Sequence, residues 1–243
     1  LFANDSKVFA RLGTVYRYPF VDEQVFYSGF GMDHFNTNLQ AEAGTDIQLG
    51  ADVGLGESVR AGVTLFLMNM RDEIAYNPVT SDNENMDKTR HSGAEASVSW
   101  KASRSVSVDA NYTYTEAFFD GGANEGKDIP LVPRHAGAVG ATFVLPWDLS
   151  LRAAISYTGD VYAGGDYANE FDKLPAYTIV DMSLRYTPAK LEGVDMYVSI
   201  NNLFDEEYSS LGYVGYPPPD YVRQEVYYPS PGRSFRAGVS YRF

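Results

Sequence analysis

Apolar and polar residues alternate one for one along much of this 243-residue chain. Val106, Val108, Ala110, Tyr112 and Tyr114 interleave with Ser107, Asp109, Asn111, Thr113 and Thr115. Leu149, Leu151, Ala153, Ile155 and Tyr157 interleave with Ser150, Arg152, Ala154, Ser156 and Thr158. Val180, Met182, Leu184 and Tyr186 interleave with Asp181, Ser183, Arg185 and Thr187. At the C-terminus, Phe235, Ala237, Val239, Tyr241 and Phe243 share one face, and Ser234, Arg236, Gly238, Ser240 and Arg242 the other. Successive side chains of a strand point to opposite faces, so this period predicts strands with one apolar and one polar side. Noisier strands are predicted at 7–18, 43–55, 58–76, 91–101, 135–145 and 193–204, for about ten in all. Each is near the roughly 9–11 residues that a tilted strand needs to cross a bilayer. No segment carries a 3.6-residue period, so the chain reads as all-β.

The connections separate the possible all-β folds. Short turns at 54–58, 101–105, 146–148 and 188–193 alternate with long polar segments at 19–42, 77–90, 119–134, 159–175 and 205–233. A β-sandwich mixes its connection lengths. Strict alternation predicts an antiparallel up-and-down transmembrane β-barrel, with short turns on the periplasmic side and long loops outside. Both tryptophans, Trp100 and Trp147, then fall at the periplasmic interface, where an aromatic belt belongs. Glu95, Asp109, Arg152, Asp181, Arg185 and Arg236 all project from the polar faces of their strands. Facing lipid at mid-depth, an Arg or Lys costs about 2–4 kcal/mol; facing a wet lumen, it costs little. The negative mean hydropathy has the same origin, since half of each strand faces water.

Composition removes other functions. No apolar run is long enough for a transmembrane helix. Residues 1–20 carry no export signal, so the chain is expected to start after one or well inside a longer protein. Cysteine is absent, which excludes disulfides and thiolate chemistry. A net charge of −13 argues against a nucleic-acid partner. Nineteen Tyr and fourteen Phe suit strands and interfacial girdles. Metalloprotease, nucleophile-elbow and phosphate-loop motifs are all missing, so we expect no enzyme, no catalytic residue and no cofactor. Asp82, Glu84 and Asp87 hint at a calcium loop without its glycine or closing Glu, and are expected to be solvated loop charge. His34, His91 and His135 read as ordinary loop or strand-end residues, and Gly29-Phe-Gly31 as a flexible loop.

Several segments resemble the C-terminal half of a TonB-dependent outer-membrane receptor. Tyr16-Arg-Tyr-Pro-Phe-Val-Asp-Glu23 is similar to that family's Phe-Arg-x-Pro…Asp-Glu element. Leu39-Gln-Ala-Glu42 with Asp46-Ile-Gln-Leu-Gly50 is similar to its Leu-x-Pro-Glu…Tyr-Glu-Leu-Gly element, with Ala41 and Gln48 departing from it. Gly93-Ala-Glu95, Asp128-Ile-Pro…Pro133-Arg-His135, Asn202-Leu-Phe-Asp…Tyr208 and Pro231-Gly-Arg233 follow in family order. The resemblance implies a portion of a 22-stranded barrel, lacking the N-terminal plug and roughly twelve strands. It implies import of a scarce nutrient such as a ferric siderophore, energised by the TonB complex through the absent plug. The cargo could equally be haem, cobalamin or an oligosaccharide. It also implies contact with outer-membrane lipid and lipopolysaccharide, and reading of Phe243 by the barrel assembly machinery. A passive porin, adhesin or structural barrel is the competing reading.

The segment 205–233 is the expected substrate contact. Tyr213, Tyr216, Tyr221, Tyr227 and Tyr228 surround Arg223, with Tyr208 nearby and Pro217-Pro-Pro219 stiffening the middle. Tyrosine offers large contact area at little entropic cost, and Arg offers charge to an anion. The same rings could instead form the outer girdle and pack the loops. Phe26, Tyr27, Phe30, Tyr162 and Tyr167 make a weaker version of the case.

Overall fold

The computed structural model of the chain describes residues 6–27, 32–217 and 219–243. Gly29, Phe30, Gly31 and Pro218 lie outside the described residues. The strands, in chain order, are β1 (Lys7–Arg17), β2 (Val25–Tyr27), β3 (Met32–Phe35), β4 (Glu42–Leu55) and β5 (Val59–Arg71). They continue with β6 (Ile74–Asn77), β7 (Asp82–Asn85), β8 (Thr89–Lys101), β9 (Val106–Phe119), β10 (His135–Leu145) and β11 (Leu149–Thr158). The last five are β12 (Tyr177–Tyr186), β13 (Val194–Asn201), β14 (Ser209–Gly215), β15 (Gln224–Pro229) and β16 (Ser234–Tyr241). No helix occurs among the described residues.

Ten strands make one sheet in the order β1-β4-β5-β8-β9-β10-β11-β12-β13-β16, with every pairing antiparallel. Each wall strand therefore pairs with the next wall strand in the chain, which is the up-and-down meander that the loop rhythm predicts. The three hairpins β2–β3, β6–β7 and β14–β15 stand inside long connections. The wall strand expected over 58–76 ends earlier, at Arg71. Asp72 has a φ of 59° that turns the chain away, and Ile74–Asn77 pairs with Asp82–Asn85 instead. The sheet is not closed on itself: β1 and β16 are its two edges.

Register converts alternation into two chemically distinct surfaces. One cross-strand row runs Val53, Ala61, Val98, Ala110, Val139, Ile155 and Val180, apolar across seven strands. The opposite face carries Lys7 against Asp52 at 3.0 Å and Arg17 against Glu42. The same face pairs Arg185 with Asp195 and Arg152 with Asp109. All six charges assigned to the polar face lie on it. Arg152 reaches Asp109 across the intervening strand β10, at 2.7 and 2.9 Å. Gly140 makes that possible: a Cβ there would stand 2.4 Å from the Arg152 guanidinium and 2.9 Å from the Asp109 carboxylate.

The buried apolar residues sit elsewhere. Ala117, Phe119 and Ile129 form one small core, and Ala163, Leu174 and Val214 another, both at the long-loop end. Trp100 and Trp147 lie at the opposite, short-turn end, where Trp147 is 82% exposed. A wall one strand thick has no interior of its own, because one face meets lipid and the other the lumen. Single cysteines at Leu151, Val180 and Val239 in the intact protein should react with membrane-soluble thiol reagents. Cysteines at Arg152, Asp181 and Arg236 should react with water-soluble ones, and the reverse pattern would refute the assignment of faces.

Candidate functional site

The site is built from the long connections, and its base is a set of polar fasteners. Arg17 and Glu42 are register partners on β1 and β4, and the Arg17 Nε donates to Glu42 at 2.9 Å. The same guanidinium donates to Glu23 at 2.7 Å, and Glu23 also accepts the Phe20 N–H at 2.7 Å, closing the turn after β1. Asn202 ties the start of the last connection: its amide oxygen accepts the Glu206 N–H and its amide nitrogen donates to the Glu206 carbonyl. Asp205, three residues on, accepts the Arg233 N–H at 2.7 Å, joining the two ends of that connection. Gly232 leaves room, since a Cβ there would stand 2.8 Å from the Asp205 carboxylate. Arg134 donates to Asp128 at 2.8 Å, closing the connection between β9 and β10.

Above the fasteners, the connections pack on one another. Tyr167 meets Phe119 edge to face at 6.0 Å and donates its hydroxyl to the Tyr76 carbonyl at 2.6 Å. Burial, helped by nearby Glu84, pushes the Tyr167 hydroxyl up to about 12. The segment around Gly164 adds itself as a parallel bridge to β14: Gly164 N–H donates to Gly212, and Val214 N–H donates to Gly164, both at 2.8 Å. A Cβ at Gly164 would stand 2.5 Å from the Tyr213 ring, so glycine is required by this close approach. On the far side, Glu73 accepts hydrogen bonds from Thr89 and His91. Burial pushes the Glu73 carboxyl up, and those two bonds outweigh it, leaving it below its ordinary value.

The substrate-contact residues expected from the sequence divide over two faces of the hairpin β14–β15. Arg223, Glu225 and Tyr227 alternate onto one face. Gly212, the register partner of Tyr227, lies over Leu174 of the 159–175 connection there. Tyr213 and Tyr228 meet edge to face at 6.1 Å on the other. Tyr216 and Tyr221 are exposed near the tip, Tyr221 the more so at 67%. Tyr227 donates to Glu225 at 2.6 Å, and that bond, with some burial, pushes its hydroxyl up to about 12.

Arg223 is not a free cation. Its guanidinium donates to Glu170, lies 3.9 Å from Asp166, and stacks 4.9 Å from the Phe171 ring centre. Asp166 is fully buried and accepts the N–H groups of Glu170 and Phe171. Arg223 thus clamps the hairpin onto the 159–175 connection, a role that residue types alone did not reveal. A cavity of about 760 Å³ opens at the root of the hairpin, lined by Tyr177, Tyr208, Tyr227, Asp205, Glu206 and Glu207 among others. The Tyr177 and Tyr208 rings within it lie 4.4 Å apart. Tyr177, which opens β12, and these carboxylates of the last connection were missed by the sequence reading, because only folding brings the two segments together.

The weaker candidates disperse. Asp82 accepts from His34 and Asn36, and Glu84 from Asn77 and Thr80, so the acidic pair is spent on protein donors. No cluster of three His, Cys, Asp or Glu suited to a metal occurs among the described residues. His135 stands on the lipid side of β10, hydrogen-bonded to Tyr112 at 2.7 Å.

Residues 1–203 match the family described as TonB dependent receptor-like, beta-barrel. The chain belongs to that family. It is 25% identical over 205 residues to the iron-regulated outer membrane virulence protein of Vibrio cholerae, covering 77% of this chain and 31% of that one. It is 35% identical over 125 residues to the ferrichrome outer membrane transporter/phage receptor of Escherichia coli K12, covering 49% of this chain and 16% of that protein. The ferric yersiniabactin uptake receptor FyuA of Yersinia pestis superposes with a TM-score of 0.74 at 21% identity, over 98% of this chain and 35% of FyuA. The copper transporter OprC gives 0.76 at 19% identity, over all of this chain and 38% of OprC. These two likenesses show the fold alone. The chain spans about a third or less of the curated relatives named here. This chain is part of the wall of an outer-membrane β-barrel of a Gram-negative bacterium, in a family of transport receptors.

The family-like elements of this chain are its fasteners. Arg17, Glu23, Glu42, Asp128, Arg134, Asn202, Asp205, Gly232 and Arg233 all hold loop roots. Arg223, outside those elements, should act as a clamp. Arg223→Ala leaves the buried Asp166 without its cation, at a cost of about 1–3 kcal/mol. Hydrogen exchange at the β14–β15 amides should then quicken by about tenfold or more, with the wall strands unchanged. Unaltered exchange would show that the hairpin is held by its backbone bridges alone.

Proposed function

We propose that this chain is the C-terminal barrel portion of an active receptor that imports a scarce nutrient, foremost a ferric siderophore. The observation that carries this reading is the outer loop layer. It has its own cores and fasteners and presents a hairpin of tyrosines around an arginine. The names of the E. coli relative, a ferrichrome transporter, and of the metal-pseudopaline receptor of Pseudomonas aeruginosa support a chelate as cargo.

In this reading the sheet edges β1 and β16 pair with roughly twelve further strands of a 22-stranded barrel. Open edges in hydrocarbon leave backbone groups unpaired at several kcal/mol each, so partners for both are obligatory. An N-terminal plug would fill the lumen and pass the TonB complex's energy to the ligand. Tyr216 and Tyr221 at the tip, with Tyr213 and Tyr228 on one face and Tyr227 on the other, contact the chelate. Arg223 adds the guanidinium donors left over by Glu170 and Asp166.

Binding of labelled ferric siderophore to whole cells at constant receptor level tests the site. Tyr213→Ala and Tyr216→Ala should each weaken binding by about 2 kcal/mol as contact hot spots. Arg223→Ala should cost about 1.5–3 kcal/mol. Glu170→Gln should cost less than about 1 kcal/mol, because its ion pair is partly exposed. Unchanged affinity in the tyrosine and arginine variants would return these rings to loop packing and put the ligand site elsewhere.

Phe243 ends the lipid-facing series of β16 and packs near Tyr241, with ring centres 6.4 Å apart. In this reading it is what the assembly machinery recognises. Its deletion should lower the amount of folded receptor in the outer membrane while leaving the affinity of each folded copy unchanged. Normal folded levels would remove that role.

A further inference from the structure

The cavity at the root of the hairpin β14–β15 joins three kinds of lining that loop packing alone does not require. Leu174, Pro175, Ala176 and Pro229 make it apolar on one side. Tyr177, Tyr208 and Tyr227 give it aromatic walls, the first two with ring planes inclined by 34°. With centres 4.4 Å apart, those two rings leave no slot between them and present one broad π surface. Tyr177 shares its face of β12 with Asp181, so the cavity opens on the lumen side of the outer rim.

The third lining is carboxylate. Asp205 is spent on Arg233, accepting its N–H at 2.7 Å. Glu206 and Glu207 are exposed at the cavity, and their carboxylates take no hydrogen bond or ion pair among the described residues. Beside Tyr227, one oxygen of Glu225 accepts the Tyr227 hydroxyl, and the other is buried without a donor among the described residues. A buried acceptor left unpaired is rare, and it deepens the negative potential around it. The surroundings add to that potential. Segments 159–175 and 205–233 hold nine Asp and Glu against three Lys and Arg. Lys173, Arg223 and Arg233 each already face a carboxylate.

This lining selects its ligand by chemistry. An anion is repelled, and an uncharged ligand leaves Glu206 and Glu207 unanswered. A bare divalent ion needs oxygens converging on one point, and no cluster suited to a metal occurs among the described residues. An alkyl ammonium meets all three linings. Its charge lies over a tyrosine face, its N–H groups donate to the glutamates, and its hydrocarbon follows the apolar side. We propose that the cavity is a binding site for a primary-amine cation on a hydrocarbon arm, of the diamine or polyamine class. The site lies apart from Tyr216 and Tyr221 at the tip, and its occupancy does not require a chelate there.

The test is isothermal titration calorimetry of the intact receptor, purified from outer membranes in detergent, with cadaverine as the probe. Pentanediol, of the same length and without charge, is the control ligand. Wild type should bind cadaverine about tenfold more tightly than pentanediol or better, and added salt should weaken that binding. Tyr208→Ala should weaken cadaverine by about tenfold, and Tyr208→Phe, which keeps the ring, should not. Glu206→Gln combined with Glu207→Gln should weaken it by about tenfold or more. Glu84→Gln combined with Glu125→Gln removes the same charge from other connections and should leave it unchanged. Heat-dependent gel mobility checks that every variant is folded. No cadaverine binding by folded wild type, equal affinity for pentanediol, an unchanged Tyr208→Ala, or equal losses in the two double variants would each overturn the proposal.

Discussion

A backbone amide in hydrocarbon has no water to bond, so each one in the wall must find its partner in a neighbouring strand. Everything else about this wall follows from that ladder. Once β8, β9, β10 and β11 are held in register, Val98, Ala110, Val139 and Ile155 must share a face. Asp109 and Arg152 must share the other. A slip of one residue would carry Asp109 and Arg152 into lipid and the valines into the lumen. The cost of that exchange makes the register unique without any packed core to enforce it. Even the cross-strand ion pair depends on the ladder, because it spans β10 only where Gly140 leaves the gap.

Because the wall has no interior, burial is concentrated in the loop layer. Phe119, Leu174 and Val214 are each 2% exposed, and all three lie at its outer end. Stability is thus divided in two. The wall draws on the ladder and on the lipid around it, whereas the outer layer folds on its own small cores. Asp166 shows how tightly that second part is built: its carboxylate is fully buried, satisfied by two backbone N–H groups, and faced by Arg223. A layer with separate cores can vary in its tips while the wall beneath keeps one register, which suits a family whose members differ in cargo.

The elements that make the family recognisable hold the loop roots. Arg17, Glu23 and Glu42 fasten the connection after β1, and Asn202, Asp205 and Arg233 fasten the last one. Each needs a particular side chain, because Arg17, Glu23, Glu42, Asp205 and Arg233 close charge-assisted bonds and Asn202 pairs its amide oxygen and nitrogen with the Glu206 backbone. Aromatic tips need only area and a hydroxyl, so many sequences serve. Kinship is therefore easier to read in this chain than cargo.

Alternation of apolar and polar residues determined the all-β wall, its two faces, the lipid-facing rows and the lumen position of Glu95, Asp109, Arg152, Asp181, Arg185 and Arg236. Period two and loop rhythm are local properties, and local properties are written in order along the chain. The hairpins inside the long connections were not visible, because strands of three to seven residues in polar segments show no period of their own. Nor was the clamp: Arg223 and Glu170 are separated by 53 residues, and nothing in either segment names the other. The cavity where Tyr177 faces Tyr208 arises in the same way, from segments that meet only in space. What the tertiary structure alone decided is which polar groups neutralise one another. That depends on distances between segments, and a charge reads the same in sequence whether it is spent on a neighbour or left for a ligand.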